Sequence, residues 1–178
     1  MSNGTTVKKR NGRGTEPLDL EKIHKMVEEA CKGIAGVSAS QVEIQSGIQF
    51  YDGITTAEIQ EILIKSASDL IDLDNPNYQF VAARLLLFAL RKSLYGKIRE
   101  MPHLESQIMG CTSYDVYDKE IFTKYSKEEI DKANGFIDHD RDFLFTYAGL
   151  RQVVDKYLVQ DRSTGQAYET PQFMYIMI

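Results

Sequence analysis

Apolar residues in the first half of the chain recur at helical spacing, in segments that each begin with a capping signal. In the first segment Asp19 is suited to N-cap a helix, and Leu18 and Ile23 occupy the flanking positions of a hydrophobic staple. Gly33 and Gly36 supply the stop. The predicted apolar face of this helix comprises Ile23, Met26, Val27, Ala30, Cys31 and Ile34.

Three more helices are predicted in the same way. Ser38 with Gln41, and Thr55 with Glu58, have the spacing of capping boxes, and Asn77 is suited to cap the fourth helix. Helices of this kind with one apolar stripe each are expected to pack as a four-helix bundle. Their predicted inward positions are Val42, Ile44 and Ile48, then Ile59, Ile62, Leu63, Ala67, Leu70 and Ile71, and finally Phe80, Val81, Leu85, Phe88 and Leu94.

Two short strands are predicted ahead of the bundle, over Thr6–Arg10 and Glu16–Leu18, with a turn signal at Asn11-Gly12 between them. Strands this short bury little by themselves, so we expect them to form a small sheet that caps the bundle. The last helix is expected to end near Gly96. The sequence therefore predicts a first domain over residues 1–96.

The second half, residues 97–178, has a different character. Ser126 and Glu129 form another capping box, a helical pattern runs through 145–157, and residues 157–160 and 167–168 flank a turn. Thr170 and Pro171 are suited to begin a final helix. That helix, over 173–178, is apolar on all sides, which is typical of a segment buried in a large core. We therefore expect the sequence to be one part of a larger domain.

Charge and composition exclude several classes of protein. The net charge of −5 argues against a general nucleic-acid binder, and no apolar run approaches the roughly 18 residues of a membrane span. The two cysteines match no redox or metal spacing, so a reducing cytoplasmic setting is expected. Lys8, Lys9, Arg10 and Arg13 form a local basic cluster, which suits either a small polyanion or a solvated charged tail.

Catalytic motifs are not found in the sequence. It has no Walker loop, no dinucleotide-binding glycine pattern and no zinc spacing, so we expect neither a catalytic residue nor a metal site. The run Asp138-His139-Asp140-Arg141-Asp142 offers carboxylates to a metal, but such a run is more often a solvated loop or a helix start.

The basic opening resembles a known nucleotide-binding family. Val7-Lys8-Lys9-Arg10-Asn11-Gly12 followed by 16–23 (EPLDLEKI) is similar to the ATP-cone signature, and the likeness continues through 51–56 (YDGITT) and 82–85 (AARL) to Lys92. The resemblance implies that the chain binds ATP or dATP as an allosteric effector, with Mg²⁺. It implies a site formed by Val7, Lys9, Arg10, Glu16, Leu18, Asp19, Lys22, Thr56, Gln60, Phe88 and Lys92.

The expected roles of these residues follow from their chemistry. Lys9, Arg10, Lys22 and Lys92 supply positive charge for the triphosphate, and Thr56 lies at a helix start that favours an anion. By the resemblance, Val7, Glu16, Leu18 and Asp19 line the base and ribose, and Phe88 closes the apolar side. Periodicity alone also explains Phe88 as a core residue, and Lys22 and Lys92 as surface lysines.

Gln60 departs from the family pattern. Close relatives of the family have a histidine at this position, which is expected to help separate ATP from dATP. Glutamine still donates and accepts hydrogen bonds, but it does not become charged. The sequence therefore predicts nucleotide binding more firmly than it predicts discrimination between the two nucleotides.

The second half resembles one enzyme family. Residues 136–142 (FIDHDRD), 156–160 (KYLVQ) and 168–172 (YETPQ) are similar to the start of the catalytic domain of class Ia ribonucleotide reductase large subunits, a ten-stranded α/β barrel. The expected fold is therefore mainly α, an ATP cone followed by the mostly helical start of the barrel. Neither Cys31 nor Cys111 has the context of the family's catalytic cysteines.

The resemblance also implies partners, namely the remainder of the large subunit, the small radical-bearing subunit and further copies in a homo-oligomer. An alternative hypothesis is a stand-alone nucleotide sensor, such as a transcriptional regulator with an ATP cone. That class typically carries a cysteine-rich zinc ribbon for DNA, which this sequence lacks. A helical protein without a ligand is the third hypothesis, and it leaves the basic cluster unexplained.

Overall fold

The computed structural model describes residues 5–9, 14–47 and 49–178 of the chain. It is mostly helical, with 59% of residues in helices and a small three-stranded sheet, which confirms the mainly α fold class. Arg10, the predicted Asn11-Gly12 turn, Arg13 and Ile48 lie outside the described residues. Within the described part of the chain, no helix combines the length and the apolar character that crossing a membrane requires.

The chain divides into two compact units, one formed by Met1–Ala89 with Phe145–Ala148 and the other by Leu90–Leu144 with Gly149–Ile178. The division falls within a helix, ahead of Gly96, where the sequence places the end of the first domain. The boundary at residue 96 stays a prediction.

The first unit opens with a sheet of strand order β2-β1-β3. Strand β1 (Thr6–Lys8) pairs antiparallel with β2 (Thr15–Pro17) and parallel with β3 (Ile54–Thr55). The first two strands agree with the predicted ones to within two residues. The third strand was missed, because two residues give no alternating pattern of their own.

The helices of the first unit begin where the sequence predicts. They are α1 (Leu20–Cys31), α2 (Ala39–Gly47), α3 (Thr56–Asp69) and α4 (Tyr78–Tyr95). Asp19 caps α1, and Thr55 with Glu58 forms the predicted capping box of α3. The core of this unit is built mainly from α1, α3 and α4, including Val27, Ala30, Leu63, Ala67, Val81 and Leu87.

Two predictions about α2 are wrong. Ser38 and Gln41 do not form a direct capping box, because the Tyr78 hydroxyl stands between them. The Ser38 amide donates to the Tyr78 hydroxyl over 3.0 Å, and that hydroxyl donates to Oε1 of Gln41. Ile44 is 71% exposed rather than inward-facing, since Val42 and Ser46 are the residues that α2 buries.

His24 links α1 to α2 through Glu43 and also pairs with Glu28 of its own helix. Its Nδ1 lies 2.7 Å from Oε1 of Glu43, and its Nε2 lies 3.2 Å from Oε1 of Glu28. The hydrogen bond with Glu43, followed by the charge of Glu28, raises the pKa of His24 above its ordinary value of 6.5. The imidazolium is therefore favoured in the folded chain.

A pH dependence of stability follows from this link. Because the folded-state pKa of His24 is raised, its contribution is fully present below about pH 6.5 and is lost as the pH rises through the folded-state pKa. We expect the free energy of unfolding to fall as the pH rises from about 6.5 through the raised folded-state pKa of His24. Urea unfolding at a series of pH values measures it, and His24→Gln should flatten the profile. An equally steep profile in that variant would assign the dependence to other groups.

The second unit contains α5 (Leu104–Ser113), α6 (Ile121–Lys124) and α7 (Lys127–Asn134), of which α7 has the predicted Ser126–Glu129 capping box. A 3-10 helix follows over His139–Leu144. Next come α8 (Tyr147–Gln152), whose first two residues belong to the first unit, and a π-helical turn over Val153–Tyr157. These last two elements match the predicted helical pattern. The predicted hairpin is reduced to one bridge, between Gln160 and Ala167.

Helix α9 (Pro171–Met177) begins directly after its N-cap residue Thr170, as predicted, although the Thr170 side chain makes no capping hydrogen bond. Phe173 is fully buried in the core of the second unit, whereas Tyr175 and Ile178 are exposed. That core also contains Leu104, Ile108, Cys111, Tyr117 and Ile130.

Candidate functional site

The β1–β2 hairpin brings four of the predicted site residues together. Val7 pairs with Glu16 across the ladder, and the Lys9 amide donates to the Gly14 carbonyl over 3.1 Å. The Leu18 amide donates to the Thr5 carbonyl over 2.8 Å, which extends the pairing to the start of α1. The Val7 side chain is buried beneath the sheet, while Lys9 and Glu16 are partly exposed.

Lys9 and Glu16 form an ion pair across this hairpin. Nζ of Lys9 lies 2.8 Å from Oε2 of Glu16. The hydrogen bond from Lys9 holds the pKa of Glu16 below its ordinary value, so the carboxylate is ionised at neutral pH. The cation that is expected to meet a phosphate is therefore paired with an anionic side chain of the same hairpin.

A second pair of the same kind lies at the N-terminus of α1. Oδ1 of Asp19 accepts hydrogen bonds from the amides of Glu21, over 3.1 Å, and Lys22, over 3.2 Å. Nζ of Lys22 lies 3.3 Å from Oδ2 of Asp19. The hydrogen bond from the Lys22 amide is the main cause that lowers the pKa of Asp19. Asp19 therefore both caps the helix and neutralises a lysine.

Helix α3 begins directly after β3, which places Thr56 at the first helical position. The Thr55 side chain accepts from the Glu58 amide over 3.1 Å, and Glu58 in return accepts from the Thr55 amide over 2.8 Å. The Tyr51 hydroxyl donates to the same carboxylate over 2.8 Å. These hydrogen bonds fix the helix start next to β3, and the positive end of the helix dipole lies at Thr56, where it favours an anion.

Asp52 ties the sheet to the loop before α3. Its Oδ1 accepts from the Thr6 amide over 2.8 Å and from the Thr6 hydroxyl over 2.7 Å. The Gly53 amide donates to the Thr6 carbonyl over 2.9 Å, and Gly53 has a φ of +79°, which glycine adopts readily. Sequence reasoning assigned Asp52 no role, because its partner lies 46 residues away.

The remaining predicted residues differ in their surroundings. Gln60 and Phe88 are both buried in the first unit, and Phe88 is only 1% exposed. Lys92 is an exposed residue in the last turn of α4 and belongs to the second unit. Arg10 lies outside the described residues, so its role stays a prediction.

The acidic run 138–142 leads into the 3-10 helix, in agreement with the expected helix start, but its last residue, Asp142, is buried. Arg91 and Asp142, with side chains 2% and 0% exposed, form an ion pair of 3.1 Å. Oδ1 of Asp142 also accepts from the Gln172 side chain over 3.0 Å. Both carboxylate oxygens of Asp142 are therefore engaged within the protein, and the residue serves the packing of the second unit.

A second group of possible metal ligands comprises His103, Glu105 and Asp131. Nδ1 of His103 accepts from the Glu105 amide over 3.3 Å, so the proton of the neutral ring lies on Nε2, toward Asp131. A metal-bound histidine needs the opposite arrangement, with its second nitrogen acting as a donor. Lys127 also lies 3.6 Å from Glu105. The group is therefore better explained as a helix cap with ion pairs.

Comparison with known proteins finds a domain family that matches the first half of the chain and relatives that align with both halves. Residues 5–93 match the ATP cone domain family. The whole chain is 47% identical to the N-terminal region of ribonucleoside-diphosphate reductase 1 subunit alpha of Escherichia coli strain K12 and 45% identical to the reductase subunit alpha of Haemophilus influenzae. A third relative, from Helicobacter pylori, is 41% identical over 175 residues.

The chain is much shorter than these relatives. All of its residues align with the first two proteins, yet it spans 23% of the length of each, and 21% of the third. The family match covers the hairpin, the starts of α1 and α3 and most of α4, which are the elements that carry the predicted site residues. The chain belongs to the ATP-cone family, in the form found at the N-terminus of ribonucleoside-diphosphate reductase alpha subunits.

Proposed function

We propose that this chain is the regulatory N-terminal part of a ribonucleoside-diphosphate reductase large subunit, in which ATP or dATP bound to the cone controls ribonucleotide reduction. The observation that carries the proposal is the hairpin with its adjoining helix start. There, Lys9 pairs with Glu16 and Lys22 pairs with Asp19, which supports a charged site at this end of the first unit. The match through residues 97–178 favours the reductase over a separate nucleotide sensor.

The triphosphate is proposed to bind to Lys9 and Lys22, with the N-terminus of α3 at Thr56 as a further anion-binding group. Arg10 and Lys92 complete the proposed set of phosphate ligands on the family resemblance alone. Glu16, Asp19, Val7 and Leu18 are proposed to line the base and ribose, and the buried Gln60 and Phe88 support the site from the interior. Discrimination between ATP and dATP at Gln60 stays a prediction.

Magnesium is proposed to arrive with the nucleotide, held mainly by phosphate oxygens. Mg²⁺ commonly binds through one or two carboxylates together with substrate phosphates. Glu16 and Asp19, the acidic candidates at this site, are each paired with a lysine. A carboxylate becomes available to the ion only when a phosphate takes over its lysine.

Loss of Lys9 should weaken nucleotide binding. We expect Lys9→Ala to cost about 1.5–3 kcal/mol of ATP binding free energy, the usual contribution of a charge-assisted hydrogen bond, and less for AMP. Calorimetric titration of both nucleotides measures the difference. Lys65→Ala is a matched control, because Lys65 forms an exposed ion pair of 2.6 Å with Asp69 at the far end of α3. Equal ATP affinity in both variants would place the phosphates elsewhere.

The second unit is proposed to be completed by the remainder of the large subunit. Two apolar clefts, of about 600 and 420 Å³, open onto α9 and share Ile121, Met177 and Ile178 in their walls. Reductase relatives are more than four times as long as this chain, since it covers 23% of their length. The small radical-bearing subunit, a homo-oligomer and a cytoplasmic location are proposed on the same likeness.

A surface substitution tests whether the remainder of the large subunit binds at these clefts. Ile178 is 95% exposed, so Ile178→Asp should leave unfolding of the chain unchanged. We expect it to weaken association with a separately produced remainder of the subunit by about 1.5–3 kcal/mol, the contribution of one buried aliphatic side chain. Leu73→Asp, at a fully exposed position of the first unit, is the control. Undiminished association of the Ile178 variant would show that the clefts are not the contact surface.

A further inference from the structure

Two of the proposed phosphate-binding groups lie at the same end of the small sheet. Strand β1 pairs in parallel with β3, and Lys8 stands opposite Thr55. Because both strands run in the same direction, the residues that follow, Lys9 and Thr56, leave the sheet at the same end. The fit of this lysine and this helix N-terminus to one polyphosphate therefore depends on how firmly β1 is held against the start of α3.

The ladder between β1 and β3 is short. It comprises two residue pairs, Val7 with Ile54 and Lys8 with Thr55, and it joins segments that are far apart in the sequence. Closing so long a loop costs conformational entropy, which two pairs offset only in part. The pairing of β1 with β2 connects the strand to the start of α1 instead. Further contacts between β1 and the segment before α3 are therefore needed to fix their register.

Asp52 supplies these contacts. Its Oδ1 accepts from the Thr6 amide over 2.8 Å and from the Thr6 hydroxyl over 2.7 Å, and the Gly53 amide donates to the Thr6 carbonyl over 2.9 Å. The hydrogen bond from the Thr6 side chain is the main cause that holds the pKa of Asp52 below its ordinary value, so the carboxylate stays an acceptor at neutral pH. The amide, the carbonyl and the hydroxyl of Thr6 are thus all bonded to two consecutive residues of this loop.

We propose that Asp52 is a positioning residue for the polyphosphate: by binding the amide and the hydroxyl of Thr6, it holds Lys9 in register with the N-terminus of α3. A carboxylate does not itself attract a polyphosphate, so Asp52 contributes through the strand and not through contact with the ligand. Groups that are held in place before binding lose less conformational freedom when the ligand arrives. The inference rests on the proposed nucleotide site and adds the means by which that site is preorganised.

The test removes the hydrogen-bond acceptor and then restores it without its charge. Asp52→Ala should bind ATP about 5- to 10-fold more weakly than the parent, near the lower limit for hydrogen bonds to a charged group because this carboxylate is exposed. Asp52→Asn keeps an oxygen that accepts both hydrogen bonds from Thr6, so its ATP affinity should lie within about 2-fold of the parent. Titration calorimetry on the full chain gives the dissociation constants.

A matched control comes from another aspartate of the first unit. Oδ1 of Asp72 accepts from the amides of Asp74 and Asn75, over 2.9 and 2.6 Å, in the exposed turn that follows α3. Asp72→Ala therefore removes the same kind of acceptor from a purely local turn, and it should bind ATP as the parent does. Circular dichroism at the temperature of the titration shows which of the chains are folded.

A double-mutant cycle distinguishes positioning of Lys9 from a general loss of stability. In the Lys9→Ala background, Asp52→Ala should change the ATP affinity by less than about 2-fold, because the lysine that it positions is absent. A general structural role would instead weaken binding by the same factor with and without the lysine. An undiminished effect of Asp52→Ala in the Lys9→Ala background would overturn the inference.

A milder variant keeps the proposal testable if Asp52→Ala does not fold. Thr6→Val loses only the hydroxyl donor and keeps the amide, so it should weaken ATP binding by about 2- to 3-fold. This loss should also disappear in the Lys9→Ala background. Parental ATP affinity in a folded Thr6→Val chain would overturn the inference.

Failure of the inference and failure of the proposed function give different results. A folded parent chain that does not bind ATP would overturn the proposed function, and this inference with it. ATP binding by the parent and, with equal affinity, by Asp52→Ala would overturn the inference alone. An Asp52→Asn chain that binds ATP no better than Asp52→Ala would also overturn it, because the charge and not the hydrogen bonds to Thr6 would then be the cause.

Discussion

Replacing Asp142 with alanine should lower the free energy of unfolding by about 3–5 kcal/mol, the usual cost of breaking a buried ion pair from one side. The substitution leaves the Arg91 guanidinium buried without its anion, and Gln172 loses its acceptor. Arg91 is 2% exposed and donates to the carbonyls of His139 and Ile98, so its charge stays buried when Asp142 is removed. Urea unfolding of the chain measures the loss.

A double variant distinguishes the effect of losing the ion pair from the effect of losing side-chain volume. Apolar side chains of similar volume often replace a buried pair at little cost, so Arg91→Met/Asp142→Leu should recover most of the stability that Asp142→Ala loses. Lys97→Met/Glu100→Leu, at an exposed pair of 2.6 Å in the same unit, serves as the control. A loss below about 1 kcal/mol for Asp142→Ala would mean that the pair is not buried as described.

The second large effect is expected at Phe88. This residue is 1% exposed in α4, so Phe88→Ala should cost about 3–5 kcal/mol of stability through the cavity it leaves. Phe88→Leu nearly preserves the volume and should cost less than about 1.5 kcal/mol. Thermal unfolding, followed by ATP titration of the leucine variant, gives both quantities.

The leucine variant also distinguishes a role of Phe88 in core packing from direct contact with the nucleotide. A buried residue that supports the site from the interior should leave the ATP affinity of Phe88→Leu within a few-fold of the parent. A well-folded Phe88→Leu chain that no longer binds ATP would show instead that the ring meets the nucleotide. Val81→Ala, at another buried position of α4, is a suitable control for a general loss of stability.

Sequence reasoning succeeded where the deciding interactions are local. The caps at Asp19, Thr55 and Ser126 each use a partner two or three residues away, and all three begin helices as predicted. The start of α9 at Pro171 follows from proline's fixed φ. Short-range spacing therefore located most of the helices.

Interactions between distant segments were not predicted. Tyr78 reaches Gln41 across 37 residues and thereby replaces the expected capping box. Arg91 reaches Asp142 across 51 residues, and Asp142 is buried at the end of an otherwise mostly exposed acidic run. Strand β3 is defined only by its pairing with β1. Asp52 was not predicted for the same reason: it bonds to Thr6 of β1, which is 46 residues away in the sequence.

Titration of ATP into the folded chain tests the central claim most directly. We expect heat from a saturable interaction with the parent chain, and a clearly weaker interaction with Lys9→Ala, because Lys9 is proposed to contact the phosphates. Circular dichroism on the same samples shows that both chains are folded. Saturable binding that depends on Lys9 is the predicted result. A folded parent chain that binds neither ATP nor dATP would contradict the account.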